Sequence, residues 1–386
     1  MELNEDEKAM WDVGVFDAHC HPTDIMASVQ DIAKMHARVL TVMATRREDQ
    51  PLVVDSAKKY LLEDKVQYDS ENYRGVVPAF GWHPWFSHQM VDDRGAQPHD
   101  QIDIISHYKS VLIPQPDGDD EFLRSIPKPL SLSHYLQATA QRLEQFPFAL
   151  VGEIGLDRAF RLPKGEFLNP DEVLEKTKST VQEHTPGSRE GRPLTPYRVN
   201  LEHQKAILKA QLQLAGKYRR PVSVHSVQTH GVVFDLLSEL WEGHERLSKR
   251  QRKRRQSNSN TEAKSDVMEV DDAEKPLPYP PRICMHSYSG PPEALKQYLG
   301  NTVPADVYFS FSICINFSTP AAAKAETVIR AVPAERILVE SDLHCAGDRM
   351  DQLLKEIVVK ICEIRGWGLE EGARQLKQNW EKFVFG

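Results

Sequence analysis

Eight short runs rich in β-branched and aromatic residues, each separated from the next by other segments, constrain this chain more than any other feature. They cover 13–21, 38–45, 76–83, 148–157, 221–227, 282–287, 307–315 and 337–342. Segments of helical period lie between or after them, for example 201–218, 232–241, 292–299 and 350–365. The runs are apolar nearly throughout, as expected of strands covered on both faces. Strands of that kind alternating with helices predict a parallel α/β sheet. Eight such units favour a closed (β/α)8 TIM barrel over an open sheet. No Gly-x-Gly-x-x-Gly follows the first run, which argues against a dinucleotide-binding fold.

The length of 386 residues, with 40% hydrophobic and 27% charged residues, suits one large globular domain spanning 1–386. A formal net charge of -8 excludes a global basic field for nucleic acid but leaves room for a local basic groove. With no run of about 18 apolar residues, no membrane span is expected. The first ten residues are acidic and polar, unlike a secretory signal, so a cytoplasmic or nuclear location is expected. Cys20, Cys284, Cys314, Cys345 and Cys362 are odd in number and lack Cys-x-x-Cys spacing; they read as reduced thiols.

Three stretches read as insertions, at about 86–129, 158–198 and 244–280. The last begins with Lys249, Arg250, Arg252, Lys253, Arg254 and Arg255, ends acidic and holds few apolar residues, so disorder is expected there. Its basic run is either a nuclear import signal or nucleic-acid contact, or a solvated loop.

Ligand-type residues close several of the strand runs. Asp17-Ala18-His19-Cys20-His21 ends the first, and alternation puts Asp17, His19 and His21 on one face. Asp17 is then either a metal ligand or an acceptor orienting a histidine. Glu153 lies in the fourth run, where a carboxylate can bridge two cations; His225 ends the core of the fifth, His286 that of the sixth, and Asp342 the eighth. Barrel active sites gather at these strand ends. His83 closes the third run, within hydrogen-bonding reach of a phosphate or leaving group, or else as a structural histidine beside Pro84.

Taken together, Phe16-Asp17-Ala18-His19-Cys20-His21, Gly81-Trp82-His83-Pro84, Gly152-Glu153-Ile154-Gly155-Leu156-Asp157, Pro221-Val222-Ser223-Val224-His225, His286-Ser287-Tyr288-Ser289-Gly290, Glu340-Ser341-Asp342 and Asn379-Trp380-Glu381-Lys382-Phe383 resemble the TatD family of metal-dependent hydrolases, within the amidohydrolase-like barrels. The resemblance covers nearly the whole chain outside the insertions, whose pattern is most similar to the fungal branch. It implies phosphodiester hydrolysis, with DNA as substrate, and a metal set of His19, His21 and Asp342 for one ion and His225 and His286 for the other, with Glu153 shared. That set contains no sulfur and suits two divalent ions, Zn²⁺, Mn²⁺ or Mg²⁺. Asp342, Glu153 and His83 are the expected catalytic residues. The fungal resemblance further implies a protein partner, a subunit of the anaphase-promoting complex.

Two positions depart from the family pattern. Val227 stands where many relatives carry an arginine, and His344 replaces the proline of Asp-x-Pro, reading as an extra ligand, an acid or a rim residue. These departures leave three functions open: a two-metal phosphodiesterase, a hydrolase of ester or amide bonds at the same centre, and an interaction protein that retains the barrel. His230 is expected to start a helix, and Ser289 to cap the next one. Trp82, Trp85 and Phe86 are expected to pack in the core or rim, or to stack on bases. His36, His88, His99, His107, His134, His184, His203 and His244 are expected to face water.

Overall fold

The computed structural model describes residues 4–62, 73–95, 103–164, 185, 192–247, 275–318 and 322–386. All eight runs are strands: β1 Phe16–Cys20, β2 Val39–Ala44, β3 Gly75–Phe80, β4 Val151–Asp157, β5 Val222–Val227, β6 Arg282–Met285, β7 Asp306–Phe311 and β8 Ile337–Val339. Most end earlier than the apolar pattern predicts, because the chain leaves the ladder at the residues that matter chemically. Ser287 and Asp342 turn away with φ of 39° and 53°, and Ile313–Phe317 is a π-helical turn rather than the end of β7.

Regular parallel pairing gives the orders β1-β2-β3 and β8-β7-β6-β5-β4. Hydrogen bonds bring both pairs of edges together. Between β3 and β4, Phe80 N donates to Leu150 O (3.0 Å) and Leu150 N to Pro78 O (3.0 Å). Between β8 and β1, Asp342 N donates to His19 O (3.0 Å) and His21 N to Leu343 O (2.8 Å). The Asp17 carboxylate reinforces this seam by accepting from Ser341 N at 3.0 Å. Sequence-adjacent strands are thus neighbours around a parallel barrel.

Inside the barrel, Phe16, Met43, Val77, Tyr308 and Leu338 cluster with Trp380 and Phe383 of the helix Leu369–Val384, which plugs one end. Asn379 ties that helix to the barrel, donating from Nδ2 to Ala334 O (2.7 Å) and Ile337 O (2.8 Å). The larger apolar cluster, including Val42, Ile154, Val224, Met285 and Phe309, lies between strands and surrounding helices. Burying a side chain such as Phe309 contributes about 1.5–3 kcal/mol.

The segment before β1 is a helix, Glu5–Val13, not foreseen from the polar N-terminus. Asn4 and Glu7 form a capping box, three acids occupy its first turn, and Met10 and Trp11 are buried. Described parts of the first two insertions fold onto one another: Leu112–Ile113 pairs antiparallel with Arg198–Val199, and Tyr108, Leu123, Phe160, Leu162 and Tyr197 form a separate small core. That packing corrects three histidines. His88 is buried, while His107 and His203 are half-buried and present Nε2 to His88 O (2.7 Å) and Ser87 O (2.9 Å). His36, His134 and His244 are exposed as expected. The basic run at 249–255, His99 and His184 lie outside the described residues. Among the described residues, no helix is long and apolar enough to cross a membrane.

Candidate metal centre

Glu153 is the hub. One carboxylate oxygen, Oε2, faces His21 Nε2 at 3.4 Å and His19 Nε2 at 3.5 Å. The other, Oε1, faces His225 Nδ1 at 3.0 Å, His83 Nε2 at 3.2 Å and His286 Nε2 at 3.4 Å. Asp342 Oδ1 approaches His21 Nε2 at 3.5 Å and His19 Nε2 at 3.9 Å. Residues from five strand ends, separated by up to 323 positions, therefore meet around one carboxylate. Backbone economy at two glycines permits this. A Cβ at Gly81 would lie 2.5 Å from Glu153 O, and one at Gly155, where φ is +153°, would lie 2.0 Å from His225 O.

Asp17 is not directed at the centre. A register shift between Asp17 and Cys20 interrupts the alternation, and Oδ1 is taken by His19 N (3.0 Å) and Ser341 N (3.0 Å). Burial pushes its carboxyl up to about 7.

Three of the imidazoles are held from behind. His19 Nδ1 pairs with Ser223 Oγ at 2.8 Å. His225 Nε2 meets Asp157 Oδ2 at 3.1 Å, a carboxylate that also accepts from the Trp85 indole at 2.6 Å and from Ala159 N and Phe160 N. His286 Nδ1 meets Glu340 Oε1 at 3.0 Å, which Ser287 N also engages at 2.8 Å. Asp157 and Glu340 stand in motifs read from the sequence but received no role there. The sequence signal was spacing alone, since Asp157 stands four positions after Glu153 and Glu340 two before Asp342.

Burial pushes the Glu153 carboxyl up, yet His83, His19 and His286 outweigh it and hold the group well below the usual carboxylate range. Asp342 is likewise held down to about 2 by His286, His21 and His19 against burial. Burial lowers His83 to about 4 despite Glu153. His21, His225 and His286 are pushed up to about 9, because their carboxylate neighbours overcome burial.

The donor set fits divalent cations. His19 Nε2 and His21 Nε2 lie 3.1 Å apart and point at the same carboxylate oxygen; a positive centre there satisfies both. Three groupings have ligand atoms within 4.8 Å of one another: His19, His286 and Asp342; His19, His21 and Glu153; and His83, Glu153 and His225. The last brings His83 nearer to ligand spacing than sequence reasoning placed it.

The centre lies at the base of a cavity of about 490 Å³ whose wall includes Trp85, Phe86, Val227, Ile315 and Leu343. Trp82 is instead buried beside Tyr135. At the mouth, Asp24 bonds His344 Nδ1 (2.7 Å) and Arg46 (2.8 Å), and Arg46 also meets Asp49 (3.2 Å). His344, with its side chain 52% exposed, is a rim residue. His230 starts its helix as expected. Ser289 does not cap the next one: Pro291 holds the N-cap position without a side-chain bond, and Ser289 instead offers its carbonyl to Lys324 at 2.6 Å.

A parallel barrel with imidazoles and carboxylates gathered at the strand ends defines a hydrolase of the metal-dependent barrel class. The family model for TatD related DNase matches residues 16–385. The chain therefore belongs to the TatD family. It is 33% identical over 371 residues to the Cut9-interacting protein scn1 of Schizosaccharomyces pombe, covering 96% of this chain and 98% of that protein. A Saccharomyces cerevisiae protein named as an uncharacterized deoxyribonuclease is 28% identical over 333 residues, covering 83% of this chain and 85% of that protein. The fold also matches the crystal structure of an uncharacterized amidohydrolase from Saccharomyces cerevisiae (TM-score 0.54, 12% identity, 96% of this chain and 99% of that one). A TatD homologue from Escherichia coli aligns with a TM-score of 0.50 at 19% identity, over 97% of this chain and 98% of that one.

Proposed function

We propose that this protein hydrolyses phosphodiester bonds in DNA, using two divalent ions held by His19, His21, Glu153, His225, His286 and Asp342. The observation that carries this reading is the convergence of five imidazoles on the two oxygens of Glu153, with Asp342 beside them. Family membership and the deoxyribonuclease named among the relatives support DNA as substrate. When bound, the ions supply Lewis acidity, lowering the pKa of water and offsetting charge that grows on the phosphoryl oxygens. Asp342 orients the attacking water and accepts its proton. Water attacks phosphorus in line with the leaving oxygen, whose P–O bond breaks as it takes up a proton, returned from Asp342 or supplied by solvent. Glu153 keeps the histidines in place through both oxygens. Trp85 and Phe86 give the substrate an apolar wall.

A second reading, a role in protein association, is favoured by the 33% identity to a protein named for its interaction with Cut9. The two are compatible, since the metal centre lies inside the barrel.

The test uses full-length protein stripped of metal and reloaded with Mg²⁺, Mn²⁺ or Zn²⁺. Single-stranded DNA, duplex DNA and simple carboxyl esters are the probes. Metal-dependent DNA cleavage, lost with the metal in Glu153→Ala, is expected. Turnover of esters alone would move the reading to carboxyl-ester hydrolysis, and a loaded wild-type protein inert on every probe would leave only the association role.

A further inference from the structure

By distance alone, His83 belongs to a metal-ligand grouping with Glu153 and His225. Its hydrogen bonding says otherwise. In His225 and His286 the nitrogen remote from the centre faces a carboxylate, Asp157 or Glu340. That remote nitrogen therefore keeps a proton, and the inner nitrogen can offer its lone pair to a cation. His19 has a hydroxyl, Ser223 Oγ, in the equivalent place. In His83 the remote nitrogen, Nδ1, faces a donor instead: it accepts from Trp85 N at 3.2 Å, as the N-cap of the 3-10 turn Pro84–Gln89. A nitrogen that accepts carries no proton, and neutral imidazole has one proton to place. It must sit on Nε2, the nitrogen 3.2 Å from Glu153 Oε1.

The local sequence fixes this arrangement. Pro84 has no N–H, so the first amide the turn leaves for capping is that of Trp85. Trp85 is held further by its indole N–H on Asp157 at 2.6 Å and by stacking on Phe160, with ring centroids 4.9 Å apart. Turning the His83 ring over would aim carbons, not nitrogens, at both Glu153 Oε1 and the Trp85 amide.

We propose that His83 acts as a fixed Nε2–H donor to the oxygen of the reacting group and is not a ligand to either cation. This rests on the hydrolase reading above and assigns His83 its part in it. A preorganised donor aimed at an oxygen that gains charge is worth about 10²–10³ in kcat.

The experiment compares wild type, His83→Ala and His83→Gln. Titration with Mn²⁺ by calorimetry, with metal counted by mass spectrometry, is expected to give the same stoichiometry and affinity in all three. In DNA cleavage, kcat should fall about 10²–10³-fold in His83→Ala with KM within a few-fold. His83→Gln, which keeps an N–H at similar reach, should recover at least about tenfold of that loss. ¹⁵N-histidine NMR supplies a readout independent of turnover. The ring signals absent from His83→Gln should show, in wild type, a protonated Nε2 and an unprotonated Nδ1, with and without Zn²⁺. Loss of one metal equivalent in His83→Ala, or loss of the Nε2 proton on adding Zn²⁺, would overturn the proposal. A wild-type protein that binds metal yet cleaves nothing overturns the hydrolase reading and the donor role that depends on it. The stoichiometry and ring signals would then still decide whether His83 is a ligand.

Discussion

Loading the metal-free protein with divalent cations at pH 7 should expel protons. His21 lies between Glu153 and Asp342 at 3.4 and 3.5 Å, His225 between Glu153 and Asp157 at 3.0 and 3.1 Å, and His286 between Glu153 and Glu340 at 3.4 and 3.0 Å. These carboxylates overcome burial and push each imidazole up to about 9. At pH 7 the nitrogen a cation needs therefore carries a proton in all three, and binding must displace up to three. One pKa unit is about 1.4 kcal/mol. Two units between pH 7 and 9 then hold apparent affinity about 100-fold below its limit for each imidazole that must deprotonate. The association constant should rise by up to about tenfold per pH unit for each proton displaced, and flatten above pH 9.

Calorimetry in two buffers of different protonation enthalpy counts the protons directly. Two to three per protein are expected at pH 7, with Mn²⁺ as the probe. A count near zero, with affinity flat from pH 6 to 9, would refute the electrostatics argued here. Stability carries the same linkage with the opposite dependence. The histidine pKa values rise from 6.5 to about 9 on folding, so their contribution is complete below pH 6.5 and is lost as pH climbs through 9. Metal-free protein should thus melt at a lower temperature at pH 9.5 than at pH 6.5 by this term, and the loaded protein should lose that part of the dependence.

Other substitutions probe the supports of the centre. Asp157→Asn and Glu340→Gln remove the carboxylates behind His225 and His286, and each should weaken metal binding by about 10–100-fold in calorimetry without unfolding the barrel. Gly155→Ala forces a Cβ to within 2.0 Å of His225 O at a φ of +153°; a loss of about 3 kcal/mol in denaturant titration is expected, and wild-type stability would contradict the close β4–β5 approach.

Much of this architecture was legible in the sequence because burial on both faces leaves the barrel strands apolar from end to end. The candidate ligands stand out in the sequence because they interrupt that pattern at its ends. What stayed hidden depends on partners distant in the chain. Leu112 and Val199 pair across the two insertions, and the His107 and His203 rings leave the solvent against the carbonyls of His88 and Ser87. The clasp of Asp24, Arg46 and His344 likewise joins loops after β1, β2 and β8. Asp157 and Glu340 were hidden differently: their motifs were visible, but an acid that touches the reacting centre and one that holds a histidine look alike until hydrogen bonds separate them.

Charge balance supports the proposed pair of cations. Glu153, Asp342, Asp157 and Glu340 are all held below their ordinary pKa values by neighbouring imidazoles, so four carboxylates are ionised in a region shielded from water. Without metal, three imidazolium groups oppose them, leaving one uncompensated negative charge. Uncompensated charge in a buried site is costly. A single divalent ion that displaced all three protons would leave two negative charges, worse than protons alone. Two divalent ions match the four carboxylates. Asp17, which burial pushes up to about 7, is directed away from the centre and is left out of this count. The electrostatics therefore favour two cations bound together, so occupancy should rise cooperatively. A titration that saturates tightly at one equivalent of Mn²⁺ would contradict that balance.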